Sequence, residues 1–265
     1  MFSKFTVNLL KLSLEFKQIA FYSTTRIPCR PRSNVNRENV KKSNDKEWKL
    51  EIASECDKDK ILRFMKKGFL REDPLIKTLI PGKKPKKLNN LLRESLDHKL
   101  SVVAKKTSDD SIIGVAINEK SCKLCAARLN KMASHTNNCD LKKLLLTWSF
   151  IASAPKVYEK LCRDDIFNIA YLWVDKAYWG RSIGLDMIKK SFDFARCRNF
   201  QYAKMNCTND NTRKLVEELK FTKLWSASYK EIFLRNFFTK PITLPPQPHC
   251  NASIYYVDLK KLKKY

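Results

Sequence analysis

Ile166-Phe167-Asn168-Ile169-Ala170-Tyr171-Leu172-Trp173-Val174, followed shortly by Tyr178-Trp179-Gly180-Arg181-Ser182-Ile183-Gly184, is the stretch that decides the fold. The first run is apolar, β-branched and aromatic from end to end, as in a strand buried on both faces. The second turns directly into a helical pattern, with Ile183, Met187, Phe192 and Ala195 at helical spacing and an end near Asn199. Tyr202–Cys207 reads as the next strand, so strand, helix and strand form a parallel unit with a right-handed crossover. A buried strand ending in a glycine-containing turn that opens a helix is a phosphate cradle. The first helical turn has unpaired N–H groups and a partial positive charge. Gly180 and Gly184 let the backbone come close where a Cβ would intrude, and Arg181 brings a guanidinium. A tight strand-to-helix turn needs glycine for its own sake as well, so the turn alone does not settle its purpose.

Working outward, Asn209 or Asn211 opens a helix with Leu215, Val216 and Leu219 facing in. Residues 221–234 read as one long strand, 241–248 as a proline-rich loop, and 253–259 as a closing strand. On the other side, Trp48–Ile52 alternates as a strand. Asp57 is placed to cap a helix with the stripe Ile61, Phe64, Met65, Gly68 and Phe69, running to Pro74. Residues 84–100 carry a second helical pattern through Leu88, Leu91, Leu92 and Leu96. Residues 100–104 and 112–117 read as strands joined by the turn 108–111. A variable stretch then leads to about Asp140, and 141–161 reads as one long helix.

A chain of 265 residues with 43% hydrophobic side chains builds one core plus an extension. No run of 18 uncharged apolar residues is present to span a membrane. The net charge of +26 suits nucleic acid, a phosphate-rich cofactor, or lysines scattered over solvated faces. The basic residues are spread through nearly every segment with no block of five or six, which favours scatter, with steering of an anionic cofactor as an addition, over nucleic acid. Nine cysteines at irregular spacing fit a reducing, intracellular compartment. Residues 1–46 form a basic extension: up to Arg37 they hold seven basic residues and one acid, with apolar residues at roughly helical spacing. That is the profile of a mitochondrial transit peptide, and equally of a frayed helix followed by a linker. The expected location is cytoplasmic, or the mitochondrial matrix if the transit reading holds. The globular domain is 47–265.

The order of strand, turn, helix, strand, then Cys207-Thr208-Asn209 and a short helix, resembles the core of the GNAT acetyltransferase superfamily. Phe69-Leu70-Arg71-Glu72-Asp73-Pro74-Leu75, Ser111-Ile112-Ile113-Gly114-Val115, Cys207-Thr208 with Thr212, and Pro245-Pro246-Gln247-Pro248-His249 make it similar to the insect-type arylalkylamine N-acetyltransferases. The resemblance covers about residues 47–262. It implies an α/β fold, a three-layer αβα sandwich on a mixed, mostly antiparallel, splayed sheet. It also implies an enzyme taking acetyl-CoA as co-substrate and a small primary amine as acceptor.

By the same match, the turn Trp179, Gly180, Arg181, Ser182, Ile183, Gly184 holds the coenzyme A pyrophosphate. Backbone N–H groups of Leu172, Trp173 and Val174, at a bulge, hold the thioester oxygen. An alkylamine, with a pKa of roughly 10, must lose a proton before it attacks. Asp73 takes the place of the base, with Glu72 as a neighbour able to replace it, and a water relay suits the shorter aspartate. Thr208 and Thr212 are the hydroxyls facing the departing thiolate; the plain reading of Thr212 is helix capping. Asp73, Pro74 and His249 line the amine site. Trp179 stands where the family has Arg or Gln, Ser182 where it has Gly, and the two carboxylates are exchanged. Ser182 is expected at negative φ with its hydroxyl capping the helix.

Those departures suit a second reading, a weak or inactive acetyl-CoA-binding member. The charge suits a third, a nucleic-acid- or ribosome-associated protein on the same fold. Cys207 reads as a small buried hydrophobe. Cys122-x2-Cys125 with His135 and Cys139 has the ligand types of a zinc site, but the gap to His135 is long, so thiols in a loop are the default and no metal is expected.

Overall fold

The structure, a computed structural model, describes residues 47–235 and 243–262. The expectations for residues 1–46 lie outside the described residues. In chain order the elements are β1 (Trp48–Ile52), α1 (Lys58–Lys67), α2 (Phe69–Glu72), α3 (Pro74–Leu79), α4 (Lys86–Leu96), β2 (Val102–Lys106) and β3 (Ile112–Ser121). There follow α5 (Cys125–Ser134), α6 (Cys139–Ser153), α7 (Val157–Leu161), β4 (Ile166–Val174), α8 (Ile183–Cys197), β5 (Tyr202–Cys207), α9 (Asp210–Glu218), β6 (Thr222–Ser228), α10 (Tyr229–Arg235) and β7 (Asn251–Asp258). No helix among the described residues is long and apolar enough to cross a membrane.

The strands form one sheet in the order β1-β2-β3-β4-β5-β7-β6, antiparallel except at β4–β5. Two cores cover its faces. Ile61, Met65, Leu75, Leu88, Leu144 and Tyr229 bring α1, α3, α4, α6 and α10 onto one. Ile183, Met187 and Phe192 of α8, with Val216 of α9, cover the other against Ala203, Met205 and Cys207. Period-2 alternation along β5 therefore turns Lys204 and Asn206 to the first face.

The sheet parts between β4 and β5. Their parallel pairing runs only from Phe167↔Ala203 to Ile169↔Met205. On the β3 side Ile117 pairs Tyr171 and Asn118 pairs Ile169, so Ala170 is an extra residue. This bulge bends β4 away just where its pairing with β5 ends. It lies upstream of Leu172–Val174, where the bulge was expected.

Four segments differ from the sequence reading. The helix expected up to Pro74 is broken at Gly68 and again at Asp73. Asp57 makes no side-chain cap; its carboxylate accepts from Ser54 N and Oγ and pairs with Lys105. Residues 118–140 are not a loop, since β3 runs on to Ser121 and α5 follows. The helix expected over 141–161 is two, separated at Lys156, which is left-handed with φ 48°. The strand expected over 221–234 stops at Ser228, where a capping box starts α10: Ser228 N and Oγ donate to Glu231 Oε2, and Glu231 N donates to Ser228 Oγ.

Candidate active site

The end of β4 is fastened to the turn beyond it. Asp175 Oδ1 accepts from Ala177 N, and Trp179 Nε1 donates to Val174 O at 2.8 Å. Trp179 meets Trp173 edge-on at 6.1 Å, and half of its surface stays exposed. Gly180 then takes φ +79° and Ser182 φ +59° before α8 begins. Ser182 departs from expectation twice, being left-handed and making no side-chain cap. The turn itself demands the conformation, and a residue with a Cβ sits there at a cost of about 1 kcal/mol. Asp186 N is the first amide to bond back, to Ser182 O, and the amides from Gly180 to Leu185 have no protein acceptor among the described residues. A Cβ on Gly180 would meet nothing within 4 Å, so its φ and not space requires glycine.

All of the residues from Gly180 to Leu185 but Arg181 line a cleft of about 540 Å³ between the β4 end and α9. Leu172, Trp173, Val174, Ser182, Ile183 and Gly184 form one wall, Thr212 and Leu215 the other. Arg181 is turned from the cleft, onto Glu47 as an ion pair and over the Tyr178 ring at 5.2 Å. Both members of that pair are about half exposed, so it is worth little and a competing anion can displace it.

A second chamber of about 110 Å³ lies across the parted strands. Phe69, Asp73, Leu172, Asn209 and Thr212 line both spaces. Aromatic rings make its side: Tyr171 meets Phe69 at 5.5 Å and Trp148 at 6.2 Å, both edge-on. Its far end is polar. Glu119 accepts from Ser95 Oγ at 2.6 Å and Asn168 Nδ2 at 2.9 Å. Buried Lys204 donates to Asn168 Oδ1 and Asn206 Oδ1.

Asp73 is buried at the junction. It caps α3, Oδ1 accepting from Ile76 N at 3.0 Å and Oδ2 from Asn209 Nδ2 at 3.4 Å. Burial pushes its carboxyl up to about 6, against hydrogen bonds that favour the charged form. Adjacent Glu72 turns the other way: Lys176 bonds it at 2.7 Å and holds its carboxyl below the usual range. It borders the cleft and not the chamber. Thr208 lines the chamber, its carbonyl fixed by Tyr229 Oη at 2.6 Å. Thr212 stands in the first turn of α9 without capping it: the cap is Asn209, whose Oδ1 accepts from Thr212 N at 3.0 Å, while Thr212 Oγ1 donates back to Asn209 O at 3.0 Å. Pro74 is the first residue of α3 and borders the cleft. His249 Nδ1 accepts from Asp210 N at 3.1 Å, so this ring caps α9; it borders the cleft rather than the chamber. Cys207 is buried on the opposite face of β5, its thiol pushed up to about 12.

His135 Nδ1 bonds Lys131 O at the far end of α5 from the two cysteines. Among the described residues no three His, Cys, Asp or Glu gather as for a metal ion. The sequence reading gave Asn209 only as the start of α9, which it caps, and passed over Glu119 and Lys204. Lys204 and Asn206 alternate with apolar neighbours, a pattern that ordinarily means a wet strand face; here that face is the chamber wall.

The family model described as Acetyltransferase (GNAT) family matches residues 85–221, just over half of the chain. No curated protein sequence matches. Among solved structures, arylalkylamine N-acetyltransferase 2 from Aedes aegypti superposes with TM-score 0.72 at 20% identity, covering 80% of this chain and 99% of that one. Mosquito arylalkylamine N-acetyltransferase like 5b gives 0.74 at 15% identity with the same coverage. Drosophila melanogaster polyamine N-acetyltransferase gives 0.70 at 15%, again covering 80% and 99%. At these identities the likeness is one of fold.

Proposed function

The chain belongs to the GNAT family of acetyltransferases, and from that membership we propose that it moves the acetyl group of acetyl-CoA onto the primary amine of a small arylalkylamine. One observation carries the reading. Gly180, Ser182, Ile183, Gly184 and Leu185, with unpartnered amides, line a cleft that meets, at Asp73, a chamber with aromatic walls. A helix N-terminus of that kind attracts a diphosphate. The aromatic sleeve favours an aryl group over a flexible polyamine, and the solved relatives' names include both classes.

Acetyl-CoA supplies the activated thioester. The turn Gly180–Gly184 receives its diphosphate through main-chain N–H groups, which a change from Arg to Trp at residue 179 leaves intact. Leu172, Trp173 and Val174 stay paired with β3 but have lost β5, and main-chain N–H on that open side stabilises charge on the thioester oxygen. Asp73, ionised above about pH 6, accepts the ammonium proton directly or through one water, and the neutral nitrogen attacks the carbonyl. Thr208 or Thr212 then gives a hydrogen bond to the departing sulfur. Glu72, held by Lys176 outside the chamber, has no part in proton transfer.

Titration calorimetry with acetyl-CoA tests the cleft, and a thiol-release assay with dopamine, tryptamine and spermidine tests the chamber. Binding without release of thiol from any amine favours the weak-member reading, which the indole of Trp179 on Val174 O and the turning away of Arg181 support.

A further inference from the structure

Cys122 and Cys125 take no part in this reaction, yet their arrangement is that of a reactive pair. Cys122 follows the last residue of β3, and Cys125 is the first residue of α5. The turn between them closes with Cys125 N on Cys122 O at 3.1 Å and holds the two sulfurs 3.9 Å apart. Cys125 Sγ also accepts from Cys122 N at 3.4 Å and Ser121 Oγ at 3.7 Å. The Cys122 S–H bond, with these donors, holds the Cys125 thiol well below the usual range, and Cys122 is pushed up in return. Both border a cavity of about 460 Å³, so a small reagent reaches them. Ser121, Cys125, Ala152 and Lys204 are shared between that cavity and the chamber beside Asp73.

We propose that Cys122 and Cys125 are a reversible dithiol–disulfide couple whose state reshapes the acceptor chamber; its second half rests on reading that chamber as the amine site. The oxidant is a low-molecular-weight disulfide such as oxidised glutathione. The Cys125 thiolate attacks one of its sulfurs, forming a mixed disulfide and releasing one thiolate, which takes the proton of Cys122. Cys122 then attacks Cys125 Sγ and expels the second thiolate, which takes a proton from solvent. Two protein thiols are oxidised by two electrons, and one disulfide is reduced to two thiols. Closing the bond draws the sulfurs from 3.9 Å to about 2 Å. The first turn of α5 must move with Cys125. Ser149 Oγ holds Ala126 O at 2.8 Å, so α6 is pulled too, and with it Trp148 in the chamber wall.

The test uses the reduced full-length chain treated with oxidised glutathione, alkylated and mapped by peptide mass spectrometry, with amine and acetyl-CoA kinetics on the same samples. The expected result is a Cys122–Cys125 bond reversed by dithiothreitol, with the amine KM raised about threefold or more and the acetyl-CoA KM unmoved. Cys122→Ser should instead accumulate glutathione on Cys125, and Cys125→Ser should form neither bond nor adduct there. Bonds elsewhere while both cysteines stay alkylatable, such as at Cys162 in the same cavity, would overturn the proposal. So would a correct bond with an unchanged amine KM, or zinc retained by the reduced pair. Mapping needs no turnover, so a chain that bonds these cysteines yet acetylates no amine counts against the proposed reaction and not the couple.

Discussion

Asn209 and Asp73 meet across the mouth of the parted sheet: the Asn209 amide donates to Asp73 Oδ2 at 3.4 Å while its own carbonyl oxygen caps α9, accepting from Thr212 N at 3.0 Å. Asp73 in turn caps α3 through its other oxygen. Two helix caps thus hold the proposed base between cleft and chamber, and burial keeps its carboxyl near 6. Asp73→Asn preserves shape and cap but cannot take a proton. Turnover is expected to fall by about 10²–10⁴, and wild-type kcat/KM should drop on the acid side with a midpoint near pH 6.

The same substitution should remove a pH-dependent cost of folding, while setting the new side-chain NH2 against that of Asn209. A carboxyl raised from 3.8 to about 6 on folding costs nothing below 3.8 and its full amount above 6, since only the ionised form resents burial. Two pK units correspond to about 3 kcal/mol. Relative to wild type, Asp73→Asn should therefore be better off at pH 8 than at pH 4 by up to about 3 kcal/mol, the difference fading as pH falls from 6 toward 4. Urea denaturation at three pH values reads this. An Asp73→Asn chain less stable at pH 8 than at pH 4, relative to wild type, would contradict it.

Asn209→Ala removes a cap, at about 1 kcal/mol, and a hydrogen bond that lowers the Asp73 pKa. The acid limb of kcat/KM should move to higher pH. Asn209→Asp should keep the cap and push the limb further up, since a like charge then sits beside Asp73. A limb that stays put in both variants would mean that another group titrates.

Ser182→Gly is expected to stabilise the chain by about 1 kcal/mol, because glycine adopts the left-handed turn without strain, and Ser182 has φ +59° with no side-chain cap to lose. Acetyl-CoA affinity should hold or improve. Ser182→Ala serves as the control: it keeps the Cβ and should show no gain in melting temperature.

How much of this was legible depended on whether the signal was local. The β4 strand and the turn into α8 could be read because a doubly buried strand and a glycine turn write themselves into adjacent residues. Ser182 was misread because the turn, not the side chain, sets its φ. The capping box at Ser228 and Glu231 was present in the sequence, but an apolar run over it masked the change from strand to helix. The partnership of Asp73 with Asn209 joins residues 136 positions apart, and no spacing rule reaches that far. Lys204 lines the chamber beside Ala152 of α6 and Asn168 of β4, and no local pattern shows that its side of the strand is an interior.

Glu72→Gln separates the two neighbouring carboxylates. Its partner Lys176 is more than half exposed, so the lost pair should cost no more than about 1 kcal/mol. Turnover should stay within a few fold of wild type, and the pH midpoint should not move. Loss of activity on the scale of Asp73→Asn would transfer the role of base to Glu72.

Gly68 is small because Trp173 fills the place of its side chain. A Cβ there would lie 2.0 Å from Trp173 Nε1 and 2.6 Å from Cε2, so the ring must leave the notch between α1 and α2 if residue 68 grows. Trp173 is also part of the cleft wall and touches Trp179. Gly68→Ala should therefore destabilise by about 1–3 kcal/mol through overpacking and weaken acetyl-CoA binding together with it. Trp173→Leu alone opens a gap, whereas the double variant relieves the clash that the single alanine creates. Calorimetric affinity and melting temperature for the four chains should show the two changes compensating one another. Strict additivity would mean that the indole does not depend on the missing side chain at residue 68.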